Sequence, residues 1–423
     1  MEHHLSVRAL ELFDSLFPIE RETVKPVSKV GGTVEHTRTF YEFFAGGGMA
    51  RAGLGDGWQC VFANDFSEMK ARCYTTNWGD EDFHLGDVGL IATDDLPDRA
   101  DLTWASFPCQ DLSLAGNYRG LGEASSEVMT RSGTFWPFWN LMTQLRNENR
   151  APRVIVLENV TGAITARAGR DFEAICNALS GAHYRYGAVV IDAKHFVPQS
   201  RPRLFFIAVA DDVTIPNTLT RGEKDELWHP AALCSAHARL HGKAEAQWVW
   251  WNIAKPPTRN ISFADLIEAK PTHCRWHSKA ETRRLLAMMN PLHLPKIAQA
   301  RATGKRRVGG VYKRTRPDEN GIKRQRAEVR FDDIAGCLRT PAGGSSRQAI
   351  VVVEGRSIRS RLLSPREAAR LMGLDDNYML PDRYNDAYHV AGDGVCVPVV
   401  RYIASQLVEP ILGIGDRSQA IAA

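Results

Sequence analysis

The sequence predicts an α/β protein built on a doubly wound, mostly parallel sheet, with a smaller domain inserted late in the chain. Three observations carry that expectation. Short β-rich runs alternate with helical patterns from Thr39 to Ala210. A glycine cluster follows the first of these runs directly. The alternation stops after Asp211 and sharpens again near Phe331.

The elements follow in order. "TFYEFF" is the first strand, and glycines then lead into a helix-like stretch. "CVFAN" is a strand preceding the helical "FSEMKARCYTTN". "LTWAS" is a strand that stops at "FPCQDLSLAG", where Cys109 sits at the start of a small, polar loop. The helix "FWPFWNLMTQLRN", the strand "VIVLENV" and the helix "DFEAICNALS" come next. "GAVVIDA" and "RLFFIAVA" close the series. Residues 211–335 carry the tryptophan cluster "QWVWWN", Pro256-Pro257 and a basic stretch, and they read as the inserted domain. The tryptophans Trp248, Trp250 and Trp251 read as core. Near the end, "LLSPREAARLMG" holds a capping box from Ser364 to Glu367, with Pro365 at the first helical position. "VCVPVVRYIASQLVEPILG" reads as an amphipathic helix that packs back on the sheet. The expected division is 39–210 plus 336–423 for the large domain and 211–335 for the insert. Residues 1–38 form an extension without an assigned role.

Composition narrows the class. No apolar run reaches the roughly 18 residues that cross a bilayer, and the N-terminus lacks a secretory pattern. The eight cysteines form no CxxC pair. A zinc site or disulfide framework is therefore not expected, and a reducing cytoplasm is. The net charge is only +4, yet eleven Lys/Arg face three Asp/Glu between Arg301 and Arg330. That concentration fits either a polyanionic partner such as nucleic acid or a solvated loop.

The first turn suits a nucleotide-like ligand. Gly46 and Gly48 let the backbone turn tightly, although Arg51 stands where the third glycine of the dinucleotide pattern belongs. Asp65 ends the second strand, where an acid can hold both ribose hydroxyls. Asp87, in "GDV", offers another acid at a later strand end, suited to an adenine amino group. Each aspartate alone reads as well as a turn or cap residue. In chain order the set fits an adenosine cofactor.

The chemistry collects at later strand ends. Cys109 lies at the carboxyl end of a central strand, behind Pro108. Glu158 ends an apolar run, where a carboxylate is costly without a partner. Arg201 and Arg203 alternate in "PQSRPRLFF" and share a face if extended. Singly these are a core thiol, a capping acid and solvated arginines. Together they suit nucleophilic attack on a heteroaromatic ring: a thiolate adds, a carboxyl hydrogen-bonds the ring nitrogen, and an arginine holds the exocyclic oxygen.

The motifs "FAGGGMA", "PCQDLS", "ENV", "QSRPR", "LRTPAGGSS", "LSPREAARLMG" and "GDGVCVP" resemble, in order, those of bacterial-type DNA (cytosine-5)-methyltransferases. The resemblance implies the S-adenosylmethionine-dependent methyltransferase fold, with S-adenosylhomocysteine as product and no metal. It implies that Cys109 attacks cytosine C6, Glu158 contacts N3 and the amino group, and Arg203 contacts O2. Arg201 would support the loop or a phosphate. Phe44, Gly46, Gly48, Asp65, Phe66, Asp87, Val88 and Pro108 match cofactor-contacting positions. Residues 110–133 match a mobile loop that closes over flipped DNA, and Gln110 and Ser113 would touch it. The insert matches a target-recognition domain for double-stranded DNA. Arg306, Arg307, Lys313, Arg314, Arg316 and Arg347 are its expected DNA contacts. A cognate restriction endonuclease is an expected partner if the enzyme is half of a restriction-modification pair; a solitary methylase has none.

Three departures stand out: Met49 replaces a glycine, "GDGV" replaces the commoner Gly-Asn-Ser-Val, and the lid is lengthened near "EASSEVMTR". Four rival readings fit the residues less well. An amino-group methyltransferase needs a D/N/S-P-P-aromatic motif, and the only Pro-Pro here is "KPPT". An RNA cytosine-5 methyltransferase shares the fold, but the insert and basic stretch favour duplex DNA. A silent DNA-binding regulator would not need Cys109, Glu158 and Arg203 together. A thiol hydrolase could use His195, but Glu158 would then have no role.

Overall fold

A computed structural model of the chain describes residues 37–108, 134–317, 321–339 and 347–413. Seven strands form the main sheet: β1 (Arg38–Phe43), β2 (Trp58–Asp65), β3 (Phe83–Leu85), β4 (Leu102–Ala105), β5 (Val154–Val160), β6 (Tyr184–Asp192) and β7 (Pro202–Ala210). Their order is β3-β2-β1-β4-β5-β7-β6. Only β7 runs against its neighbours, so the sheet is mixed and mostly parallel, as expected. Val154 to Leu157 of β5 are fully buried, because helices cover both faces of such a sheet.

The winding fixes where ligands go. The chain starts at β1 in the middle, steps outward to β3, and returns to β4 on the other side of β1. The carboxyl ends of β1 and β4 therefore diverge at a switch point, the usual crevice of an open α/β sheet. The helix Phe135–Asn147 shows how sequence dictates cover: Phe135, Phe138, Trp139, Met142 and Leu145 recur at helical spacing and are all buried. Helix Val397–Ile403 returns from the C-terminal region and packs on helix Met49–Leu54 beside the first glycine turn.

Beyond β7 the chain forms the short pair β8 (Thr220–Arg221) and β9 (Trp250–Trp251). This region joins the large core: Trp248 bridges to Tyr186 of β6, and the two rings meet edge to face at 5.5 Å. Trp251 is fully buried. A second sheet follows, with β10 (Arg307–Pro317), β11 (Lys323–Arg330), β12 (Ala349–Glu354) and β13 (Ser357–Leu362) in the order β11-β10-β12-β13. Its own core packs Val311, Val329, Val351 and Val353 against Leu285 and Ile297 of two helices. This sheet draws strands from both sides of residue 335, so its pairing crosses the domain boundary expected from the sequence.

The capping box at Ser364 is formed: the Ser364 hydroxyl accepts from Glu367 N–H at 3.1 Å, and Glu367 accepts from Ser364 N–H at 2.8 Å. Cys60, Cys73, Cys176 and Cys396 are buried, and burial pushes each thiol upward, to about 12 for Cys60 and Cys396. They stay protonated and inert at neutral pH. Among the described residues no helix is long and apolar enough to cross a membrane.

Candidate functional site

The loops after β1, β2 and β4 meet at the switch point and line one cleft with the turn at Asp393–Val395. The loop after β1 turns sharply because Phe44, Gly46 and Gly48 are all left-handed, with φ of 56°, 58° and 76°. At Phe44, a non-glycine, this is strained backbone. Gly46 leaves open space where a Cβ would stand, so a ligand can approach its backbone. A Cβ on Gly48 would strike the Trp78 ring.

Asp65 is the hinge of the cleft. Its Oδ2 accepts from Gly46 N–H and its Oδ1 from Ser67 N–H, both at 2.9 Å. Each oxygen keeps a further acceptor site, so the carboxylate can also receive two hydroxyl groups. The Phe66 ring next to it is 71% exposed, an apolar face suited to an adenine. Asp87 lies at the neighbouring strand end and caps the turn Val88–Leu90 by accepting from Gly89 N–H at 2.8 Å, while Val88 is buried.

Two features of the cleft escaped the sequence reading. Glu42, near the end of β1, is buried, and burial pushes its carboxyl up to about 8; its Oε2 has no partner among the described residues. An acid inside "TFYEFF" was the same signal that marked Glu158. Lys70 and Asp393 form an ion pair at 3.0 Å in the same cleft. Asp393 stands where the family's asparagine is common, so the departure has a partner. Met49 and Gly394 explain each other: a Cβ on Gly394 would collide with the Met49 sulfur, so the larger residue at 49 occupies the space left at 394. Open glycine backbone, a carboxylate with spare acceptors, an exposed ring and a buried acid with one oxygen unpartnered among the described residues fit an adenosyl group with a cationic tail.

The candidate reactive residues stand on β5 and β7, next to β4 in the sheet. Glu158 ends β5, and the Arg203 Nε lies 3.0 Å from its Oε1 across the antiparallel β5–β7 pair. Asn159 Nδ2 donates to the Phe107 carbonyl at 3.1 Å, which ties β5 to the residue before Pro108. Pro108 is exposed and lines the cleft. Cys109, Gln110, Ser113 and the rest of 109–133 lie outside the described residues; the structure pairs Glu158 with Arg203 on strands next to β4, and the thiol follows Pro108 in sequence.

Arg201 is placed differently from Arg203. It is 2% exposed and is consumed by the scaffold. Its Nη2 donates to the Gly392 and Gly394 carbonyls at 2.9 and 2.7 Å, and its Nη1 to Leu338 O at 3.3 Å. Burial pushes its guanidinium down. Arg201 therefore braces the Gly392–Gly394 turn against Leu338. Gln199, also unassigned from the sequence, is fully buried: its Nε2 donates to Leu371 O at 2.7 Å, and its Oε1 accepts from Leu338 N–H at 3.0 Å. Cys337 packs between the two arginines, 3.5 Å from Arg201 Nη1 and 3.9 Å from Arg203 Nη1 and Nη2.

The expected DNA contacts scatter. Arg306 and Arg307 are exposed and donate to the Ala264 and Phe331 carbonyls. Lys313 and Arg314 sit on opposite faces of β10. Arg316 stands opposite Arg324 in register. Arg347 pairs with Asn385 at 2.6 Å and lies over the Tyr384 ring.

Known proteins match most of the chain. The family described as C-5 cytosine-specific DNA methylase matches residues 38–409. The Type II methyltransferase M.BsuFI of Bacillus subtilis is 30% identical over 377 residues, covering 88% of this chain and 73% of that one. The Type II methyltransferase M.HhaI of Haemophilus parahaemolyticus is 25% identical over 369 residues, covering 86% and 92%. The fold resembles those of a Dnmt2 methyltransferase of S. pombe (TM-score 0.52, 16% identity, 88% and 99% covered) and a DNMT2 mutant of Spodoptera frugiperda (TM-score 0.56, 14% identity, 87% and 98% covered).

Proposed function

The chain belongs to the C-5 cytosine-specific DNA methylase family, and we propose that Cys109 supplies its nucleophile, with Glu158 and Arg203 holding the target ring. The reaction is methyl transfer from S-adenosylmethionine to C5 of cytosine in DNA. The single observation that supports the residue assignment is the 3.0 Å pair of Glu158 and Arg203, with Glu158 following Leu157, the register partner of Ala105 at the end of β4.

The donor supplies a methyl group on a cationic sulfur. Asp65 would hold its ribose, Phe66 its adenine, and Glu42 would face its positive charge. The Cys109 thiolate would form a bond to cytosine C6, which moves an electron pair toward N3 and O2 and makes C5 nucleophilic. Glu158, as a carboxyl, would donate to N3 and accept from the exocyclic amino group. Arg203 would hold both Glu158 and O2, so charge that develops on the ring meets preorganised donors. After C5 takes the methyl, loss of the C5 proton and departure of the thiolate from C6 restore the ring. The base must leave the duplex for the thiol to reach its ring face.

Arg201, Gln199 and Asn159 act as positioning residues. The second sheet and the loops that precede it would read the target sequence. A restriction partner is suggested by the Type II relatives, and a cytoplasmic setting by the free cysteines among the described residues. Bisulfite sequencing of DNA from cells expressing the chain tests the reading. It should reveal protected cytosines in one sequence context, lost with Cys109→Ser. Full conversion everywhere in cells with abundant protein would overturn it.

A further inference from the structure

We propose that Tyr378 and Trp78 are positioning residues for the methyl donor, which lock the glycine turn after β1 from the side away from the cleft. The inference rests on the reading that this cleft holds the donor, and it gives a role to two residues outside the cleft's lining.

The turn is costly to hold. Phe44, Gly46 and Gly48 are left-handed, and strained backbone such as that of Phe44 persists only where its surroundings over-determine it. The Gly47–Gly48 peptide joins two glycines, so little steric cost opposes its rotation. Asp65 does not fix it from the cleft, because that carboxylate engages Gly46 N–H, which belongs to the Ala45–Gly46 peptide.

The Gly47–Gly48 peptide is held instead by groups behind it. The Gly47 carbonyl accepts from the Tyr378 hydroxyl at 2.6 Å and from Trp78 Nε1–H at 3.2 Å, which uses both of its lone pairs. Gly48 N–H donates to Ala45 O at 2.8 Å. Rotating this one peptide would break all three bonds together. The fit is close: a Cβ on Gly47 would stand 2.4 Å from the Tyr378 hydroxyl oxygen. Phe44, Ala45 and Gly46 are among the described residues that line the cleft, whereas Tyr378 and Trp78 are not.

Both donors are themselves fixed, and they come from distant parts of the chain. Trp78 ends the helix Glu68–Trp78, and the Arg51 guanidinium lies 5.3 Å from the centre of its ring. Tyr378 is buried, and burial pushes its phenol up, so the hydroxyl keeps the proton that it donates. Arg366 pins the loop that carries it: Nη2 donates to Tyr378 O at 2.8 Å and Nη1 to Asp375 O at 3.1 Å. The Tyr378 hydroxyl also meets the Cys73 thiol, on the helix of Trp78, at 3.3 Å. A helix and a braced loop thus converge on one carbonyl. A turn set in advance binds its ligand more tightly than one that must be ordered on binding.

The test is calorimetry of the full chain with S-adenosylhomocysteine, for Tyr378→Phe, Trp78→Phe and the double variant. Each single variant keeps an aromatic ring and loses one hydrogen bond, so affinity should fall about 2- to 10-fold. The double variant frees the carbonyl, so its loss should exceed the product of the two single losses. In methylation assays the defect should fall on KM for the donor more than on kcat, with KM for DNA unchanged. Wild-type donor affinity in the double variant overturns the lock, whatever its unfolding temperature. A double loss equal to the product of the single losses, or equal losses of donor and DNA affinity, also overturns it. Wild-type protein that binds no S-adenosylhomocysteine overturns the donor reading itself.

Discussion

The Arg203 guanidinium holds Glu158 across two strands that run in opposite directions, Nε to Oε1 at 3.0 Å, with 14% and 9% of the two side chains exposed. Because β7 is the one reversed strand, Arg203 enters the site at its strand's beginning while Glu158 enters at its strand's end. Both partners stand on paired strands rather than on a loop. Removing its acid should cost transition-state stabilisation and leave the donor site alone. Glu158→Gln should lower single-turnover methylation by about 10²- to 10³-fold, with the dissociation constant for S-adenosylhomocysteine unchanged. Calorimetry and rapid-quench kinetics separate the two.

Asp65 should behave in the opposite way. Two backbone N–H groups fix its carboxylate from one side, which leaves its remaining acceptor capacity for the donor. Hydrogen bonds to a charged group contribute about 1.5–3 kcal/mol. Asp65→Ala should therefore weaken S-adenosylhomocysteine binding roughly 10- to 100-fold, measured by calorimetry, with kcat at saturating donor much less affected.

Much of this was legible in the sequence, for reasons that differ by element. β5 was readable because "VIVL" is a continuous apolar run and the acid after it needs an explanation. Helix Phe135–Asn147 was readable from the spacing of its aromatic residues. β3 was not: its three residues, Phe83 to Leu85, are too few to show alternation, and none is buried. The pairing of β12 with β10 was also illegible, since long-range strand pairing leaves no local pattern. Nor did periodicity reveal that Trp248 packs on Tyr186 of the large sheet. At the site, Asp65 and Glu158 announced themselves as acids at strand ends. Lys70–Asp393 and Met49–Gly394 are contacts between distant segments, and only the folded chain brings them together.

A buried ion pair braces the small sheet against the helix that follows it. Arg361 and Glu367 are both fully buried, joined by Nη1 to Oε2 at 2.7 Å, and Arg361 Nη2 also donates to Glu268 O at 3.0 Å. Breaking such a pair leaves an unpaired charge without water, at a cost of about 3–5 kcal/mol. Glu367→Ala should destabilise the protein by about that amount in urea unfolding. The double change Arg361→Met with Glu367→Leu should recover much of the loss.

Acid should weaken the region beside β6. His229 is buried, its Nδ1 accepts from Asp225 N–H at 2.7 Å, and burial pushes the imidazole down to about 4. The unfolded chain protonates this group near 6.5 and the folded chain only near 4. The stability owed to neutral His229 is thus complete above pH 6.5 and is lost as pH falls toward 4. His229→Gln should flatten the fall in unfolding free energy between pH 6.5 and 4. A variant with the wild-type pH profile would contradict this assignment.

The thiol itself is the most direct test. A duplex carrying 5-fluorocytosine at the target cannot release a proton from C5, so an enzyme that adds to C6 and methylates C5 should remain bonded to the base. With S-adenosylmethionine present, digestion and mass spectrometry should locate one adduct, on Cys109. Methylated product without any adduct, or methylation that persists in Cys109→Ser, would contradict the account.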